Sequence, residues 1–223
     1  MLSTDLRLRA GSNLSLARYV GTQLNNLFPA NGLESDVDQL MAIMSAALER
    51  LRPILLAVRN YEAGVFNHLH TLQYATFLYL LGSEQWRVDS ADALADRLFC
   101  LNRALNSLDL YHAVSMPEIF FISHGLGAVL GDAKYGTRIV VFQNVTVGRI
   151  GSDKPVIGEN VVLYPGSAVT GSAIINDNCV LSAGVHVHNV FVPANTLVIG
   201  RGRELIFETR KRNYSALYFR DGE

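Results

Sequence analysis

Residues 157–192 can be cut every six without losing register: IGENVV, LYPGSA, VTGSAI, INDNCV, LSAGVH, VHNVFV. The first place of every unit is aliphatic: Ile157, Leu163, Val169, Ile175, Leu181 and Val187. The fifth place is mostly small: Val161, Ser167, Ala173, Cys179, Val185 and Phe191. The third and fourth places hold Glu159-Asn160, Pro165-Gly166, Gly171-Ser172, Asp177-Asn178, Ala183-Gly184 and Asn189-Val190, mostly turn formers. A period of six suits neither a 3.6-residue helix nor one long strand. It suits a chain that turns a corner in every unit. Three units then close one triangular coil, and the leading aliphatics stack into a buried column, as in a parallel β-helix.

Upstream the repeat continues with breaks. Val141 and Val147 are six apart, but Val147 to Ile157 is ten, so VGRIGSDKPV should hold a loop leaving the prism. Leu130 to Val141 is eleven, one short of two units, which predicts a deletion or distortion near Lys134–Arg138. Downstream, VPANTLVIG (192–200) reads as a turn and a closing strand.

The first half has a different grammar: 13 of the 18 glycines lie after residue 115. Asp36–Leu51 places Leu40, Ile43, Met44, Ala47, Leu48 and Leu51 on one helical face, with Pro53 expected to break or restart the helix. Phe66–Leu81 and Ser90–Asn106 read as further helices. The latter has Ser90 as N-cap and Leu94, Leu98, Leu101 and Leu105 as its stripe. The expected fold class is α+β: an α-helical N-terminal domain (1–115), a β-helix (116–203) and a C-terminal tail (204–223).

Nineteen Lys+Arg against 20 Asp+Glu leave a net charge of −1, which gives no basic field for a nucleic-acid partner. No apolar run reaches the length of a membrane span, and the N-terminus lacks the apolar core of a signal peptide. With two cysteines, Cys100 and Cys179, a cytoplasmic protein without a disulfide framework is expected.

Ile119–Arg149 reads IFFISHGLGAVLGDAKYGTRIVVFQNVTVGR. His124 with Gly127 and Val129, the Leu130-Gly131-Asp132 step and Gln143–Gly148 resemble the serine acetyltransferase branch of the hexapeptide acyltransferases. That resemblance implies a left-handed β-helix, a homotrimer, pairing of trimers into hexamers, and acetyl-CoA lying between neighbouring β-helices. It makes His124 the general base for attack of an acceptor hydroxyl on the thioester, a role suited to an imidazole. It places Ser123, Gln143 and Lys154 at the acceptor. It places Tyr164, Pro165, Gly166, Ser182 and Ala183 along the cofactor, and Arg201 and Arg203, which follow the closing strand, are the cations expected to meet its phosphates. Two positions depart from the pattern. Ser123 stands where those enzymes have an Asp, and Asp153-Lys154-Pro155 stands where they have an Arg-His pair before Pro. The acceptor is therefore serine, or a hydroxyl or amine on a sugar of surface polysaccharide synthesis, and the rival is a non-catalytic trimeric scaffold.

His124 lies six before Leu130, in the phase of an inward aliphatic, so the coil is expected to be unformed there with the imidazole turned to the subunit groove. His186 and His188 lack a third ligand one coil back, where Ala168 and Thr170 stand, so no metal is expected. His68, His70 and His112 read as helix surface or interdomain packing.

Overall fold

The computed structural model describes residues 6–30, 32–201 and 204–220. It forms two compact units. One takes the chain up to Leu56, then Tyr61–Ser107 and Tyr111–Ala113; the other takes Ala57–Asn60, Leu108–Leu110 and the chain from Val114 on. The chain thus passes between units more than once, and a single cut at residue 115 does not describe it.

The helical unit opens with strand β1 (Arg7–Leu8), followed by α1 (Asn13–Leu27) and α2 (Leu33–Ala57). Helix α1, absent from the sequence reading, starts where Ser12 Oγ accepts the Ser15 N–H, and it buries Leu16, Ala17, Val20 and Leu24. Helix α2 runs through Pro53 instead of stopping. Proline removes one bond there, but Ile54 and Leu55 are buried beyond it, and that packing holds the last turn.

Strand β2 (Val65–Phe66) pairs in parallel with β1, and α3 (Thr71–Val88) follows. The helix expected from Phe66 therefore begins at Thr71. The Asn67 N–H, which a helix would have used, donates to Gln73 Oε1 at 2.8 Å. Helix α4 (Ala93–Asn106) is capped by Asp92, whose Oδ1 accepts the Leu94 N–H at 2.6 Å, and not by Ser90. Arg97 on α4 grips the fully buried Asp36 of α2 with two bonds of 2.6 and 2.7 Å and donates Nε to the Phe28 carbonyl. A carboxylate removed from water needs this bidentate partner.

His112 is not a surface residue: it is 3% exposed, its ring 4.9 Å from Trp86 and 3.9 Å from Tyr111. Burial holds its pKa below the ordinary histidine value, although Asp96, 3.9 Å from Nε2, and the Ala95 backbone pull the other way.

The second unit is a parallel β-helix. Its strands are β3 (Asp109–Leu110), β4 (Phe120–Ile122), β5 (Val129–Leu130), β6 (Lys134–Tyr135), β7 (Ile139–Val141), β8 (Thr146–Gly148) and β9 (Val156–Ile157). They continue as β10 (Val162–Leu163), β11 (Ala168–Thr170), β12 (Ile174–Ile175), β13 (Val180–Leu181), β14 (His186–His188), β15 (Phe191–Val192), β16 (Thr196–Arg201) and β17 (Glu204–Thr209). Three sheets form the faces of the prism: β4-β7-β10-β13-β16-β17, β3-β5-β8-β11-β14 and β6-β9-β12-β15. All six leading aliphatics are buried to 1% exposure or less.

The register sharpens the expected irregularities. Tyr135 pairs with Ile157, so the missing residue lies between Leu130 and Tyr135, at the front edge of the expected stretch. Val192 pairs with Ile175, so the last unit has five residues, and Phe191 points outward at 62% exposure instead of filling a small slot. At β4 the coil is formed: Ile122 pairs with Val141 and takes the inward place, and His124 lies beyond it in the corner.

Residues 204–220 are ordered structure and not a loose tail. β17 pairs antiparallel with β16, and a 3-10 turn (Ser215–Leu217) follows. Ser215 and Phe219 are fully buried, with Ser215 Oγ donating to Asn160 Oδ1 at 2.8 Å. The cause lies on the first face, where the outward residues Phe121, Val140, Val162 and Val180 are all apolar and cannot be left to water. Tyr218 closes on this region, its ring 6.2 Å from Phe121 and 5.7 Å from Phe142.

Two expectations follow. A Cβ at Gly136 would sit 2.3 Å from the Gly158 backbone, whereas one at Gly148 meets nothing within 4 Å. Gly136→Ala should lower stability by about 2 kcal/mol or more, and Gly148→Ala by much less, in urea unfolding. The second concerns His112. A folded-state pKa below the unfolded one means that the unfolded chain binds more protons as pH falls. The helical unit should keep its full stability above about pH 6.5 and lose it progressively below. Urea midpoints measured from pH 8 to 5 should show a shallower loss in His112→Gln.

Candidate active site

The corner between the first and second faces carries one turn per coil. The turns are Leu126-Gly127, Gln143-Asn144, Pro165-Gly166 and Ala183-Gly184, with Gly127, Asn144, Gly166 and Gly184 all at φ between 57° and 70°. Main-chain bonds stack them: Asn144 N–H to Leu126 O at 3.0 Å, Gly166 N–H to Gln143 O at 3.0 Å, and Gly184 N–H to Pro165 O at 2.9 Å. Glycine and asparagine stand here because other side chains resist this backbone region. The ladder is close to bare main chain: Ala183 and Gly184 are exposed, and Pro165 and Gly166 partly so.

His124 stands at one end of this ladder. It is exposed, with φ 53°, an unusual conformation for a histidine that the tight His124–Ala128 corner requires. Ser123, 6% exposed, is anchored by its N–H to the Val141 carbonyl at 2.7 Å. Gln143 lies one coil on, and its Oε1 is shut away from solvent with no donor reaching it. Tyr164 stacks on Phe142 at 5.2 Å, and its hydroxyl meets that of Tyr218 at 3.3 Å. Burial and the Tyr164 hydroxyl push the Tyr218 phenol well above its ordinary pKa. Ser182 joins the same edge through its N–H to the Val198 carbonyl. Arg201 ends β16, beside this edge by backbone register; its side chain and all of Arg203 lie outside the described residues.

One expected site residue is elsewhere in this chain. Lys154 lies past the second corner, in the loop between β8 and β9, where Nζ is 2.6 Å from Asp132 Oδ2. Arg149 approaches the same oxygen at 3.7 Å. Conversely, the coil register brings in Asp109, which sequence reasoning passed over. Its N–H donates to the Ala128 carbonyl at 2.9 Å, so a carboxylate-bearing residue runs beside the His124 corner. It carries no repeat mark, and only the pairing of β3 with β5 reveals it.

His188 has both ring nitrogens engaged, Nδ1 with Thr170 Oγ1 and Nε2 with Asn189 Nδ2, each at 3.1 Å. Among the described residues no three His, Cys, Asp or Glu come together as metal ligands. No helix of the described chain is long and apolar enough to cross a membrane. Cys179 fills its inward slot, burial raising its thiol pKa, with Sγ 3.0 Å from the Pro193 carbonyl.

A family model for the bacterial transferase hexapeptide (six repeats) matches residues 154–189. The serine acetyltransferase of Staphylococcus xylosus is 26% identical over 144 residues, 62% of this chain and 66% of that protein. The chain spans between half and two thirds of the length of the curated relatives it matches. Among solved structures, Neisseria gonorrhoeae serine acetyltransferase in complex with serine superposes with a TM-score of 0.66 at 19% identity, covering 87% of this chain and 83% of that one. A serine acetyltransferase in complex with CoA gives 0.66 at 16% identity, covering 86% and 84%. The repeat and the relatives make the chain similar in sequence to the serine acetyltransferase-like hexapeptide-repeat proteins, and the solved structures show the same fold.

Proposed function

We propose that the chain transfers an acetyl group from acetyl-CoA to an acceptor hydroxyl, with His124 as general base. The observation that carries this reading is the exposed His124 imidazole at the end of a corner ladder of bare turns. Successive turns lie one coil apart, about 4.8 Å, and offer peptide groups along a path that suits an extended amide-bearing arm such as pantetheine. Tyr164, Pro165, Gly166, Ser182 and Ala183 line that path. Arg201 and Arg203 are proposed for the phosphates.

The step needs no protein nucleophile. The acceptor oxygen attacks the thioester carbonyl as its proton passes to His124. The C–O bond forms, the C–S bond breaks, and the proton goes on to the departing thiolate, giving an ester and free CoA. Asp109 is proposed to hold the imidazole in the productive orientation. Assembly as a homotrimer is part of the reading. Val156, Ile174 and Phe191 form an outward row on the third face, 37%, 39% and 62% exposed, as an apolar subunit contact would.

His124→Ala should lower kcat/KM by a factor of about 10² to 10⁴ while leaving CoA binding and assembly unchanged. Thiol release and equilibrium dialysis of CoA check both. An unchanged rate removes His124 from the chemistry, and failure to bind CoA leaves the non-catalytic scaffold.

A further inference from the structure

We infer that the acceptor is an uncharged polyhydroxy compound, of the sugar or polyol class, and not a free amino acid. This rests on the acetyl-transfer reading above.

An α-amino acid brings a carboxylate, and holding it takes a cation whose charge is not already spent. The loop between β8 and β9 is where the resemblance puts that cation. Its two basic residues, Lys154 and Arg149, both turn onto Asp132. The loop is closed on itself as well, since Ile150 and Asp153 each donate an N–H to the other's carbonyl at 3.0 Å. Lys154 is thus fixed by a tight turn over a carboxylate of its own chain. A substrate carboxylate would have to compete with Asp132 for its charge.

At the first corner the Asp109 carboxylate is assigned to His124 in the proposed reaction, and Ser123 and Gln143 are neutral. Ser123 stands where a carboxylate would meet an ammonium, and it is 6% exposed. Gln143, one coil on, is half-buried and adds an uncharged amide. Phe142 and Tyr164 lie nearly parallel, 29° between planes, on the same edge. Aromatic rings beside a neutral amide fit the C–H face and rim of a sugar ring, and they carry no positive charge for a carboxylate.

The test uses the full chain, acetyl-CoA and a thiol-trapping reagent. D-glucose, D-galactose, N-acetyl-D-glucosamine and sorbitol are compared with L-serine. The best neutral acceptor is expected to exceed L-serine by about tenfold or more in kcat/KM. If L-serine equals or exceeds all of them, including the case in which none is turned over, the inference falls. Absence of CoA binding in the same preparation would instead bring down the acetyl-transfer reading. In a second arm, Asp132→Asn releases Lys154 and Arg149. It should strengthen inhibition by L-serine of the sugar-dependent reaction by about tenfold, with the CoA Kd unchanged. Unchanged inhibition would show that the ion pair does not exclude a carboxylate and would overturn the inference.

Discussion

Everything in the second unit depends on the column of leading side chains inside the prism. Ile157, Leu163, Val169, Ile175, Leu181 and Val187 have almost no contact with water. Each coil is too small to bury its own apolar face, so it becomes stable only when stacked on a neighbour. Stacking also settles the main-chain bonds: Val162 N–H meets the Cys179 carbonyl, and Val140 N–H meets that of Val161. Once the column is in register, every corner lies at a fixed height along the axis.

The site inherits its geometry from that stack. A ladder of turns at one corner is a by-product of closing coils, and its conformation asks only for Gly or Asn at one place per coil. A groove made of peptide groups tolerates wide drift of side chains. That accounts for how 16–19% identity coexists with a fold likeness over most of the chain. In the proposed reaction the chemistry comes from a few side chains hung on the corners, with the exposed His124 at the ladder's end.

The column was legible because a period of six leaves three marks per unit. The corner ladder was legible as turn formers at Pro165-Gly166 and Ala183-Gly184, and only the resemblance assigned them to the cofactor. The position of His124 was legible by resemblance alone, and its spacing to Leu130 misled, because two extra residues in the corner break the period there. Other features depend on partners distant in sequence. α1 and the segment after β16 form because apolar faces elsewhere need cover, and Pro53 stays helical because Ile54 and Leu55 are packed. Lys154 meets Asp132 across two coils, and a six-residue frame carries no mark of that.

Substrate choice in such a stack is separable from stability. Asp132, Arg149 and Lys154 are each about half exposed, so their ion pairs contribute little to folding and change at little structural cost. Ser123 is buried but sits outside the inward column, so its identity is set by what it faces in the corner and not by the packing of coils. The scaffold fixes where a hydroxyl and a thioester would meet. In the proposed reaction the choice of acceptor falls to a few polar residues at two corners, Ser123 and Asp109 at the first and Asp132, Arg149 and Lys154 at the second.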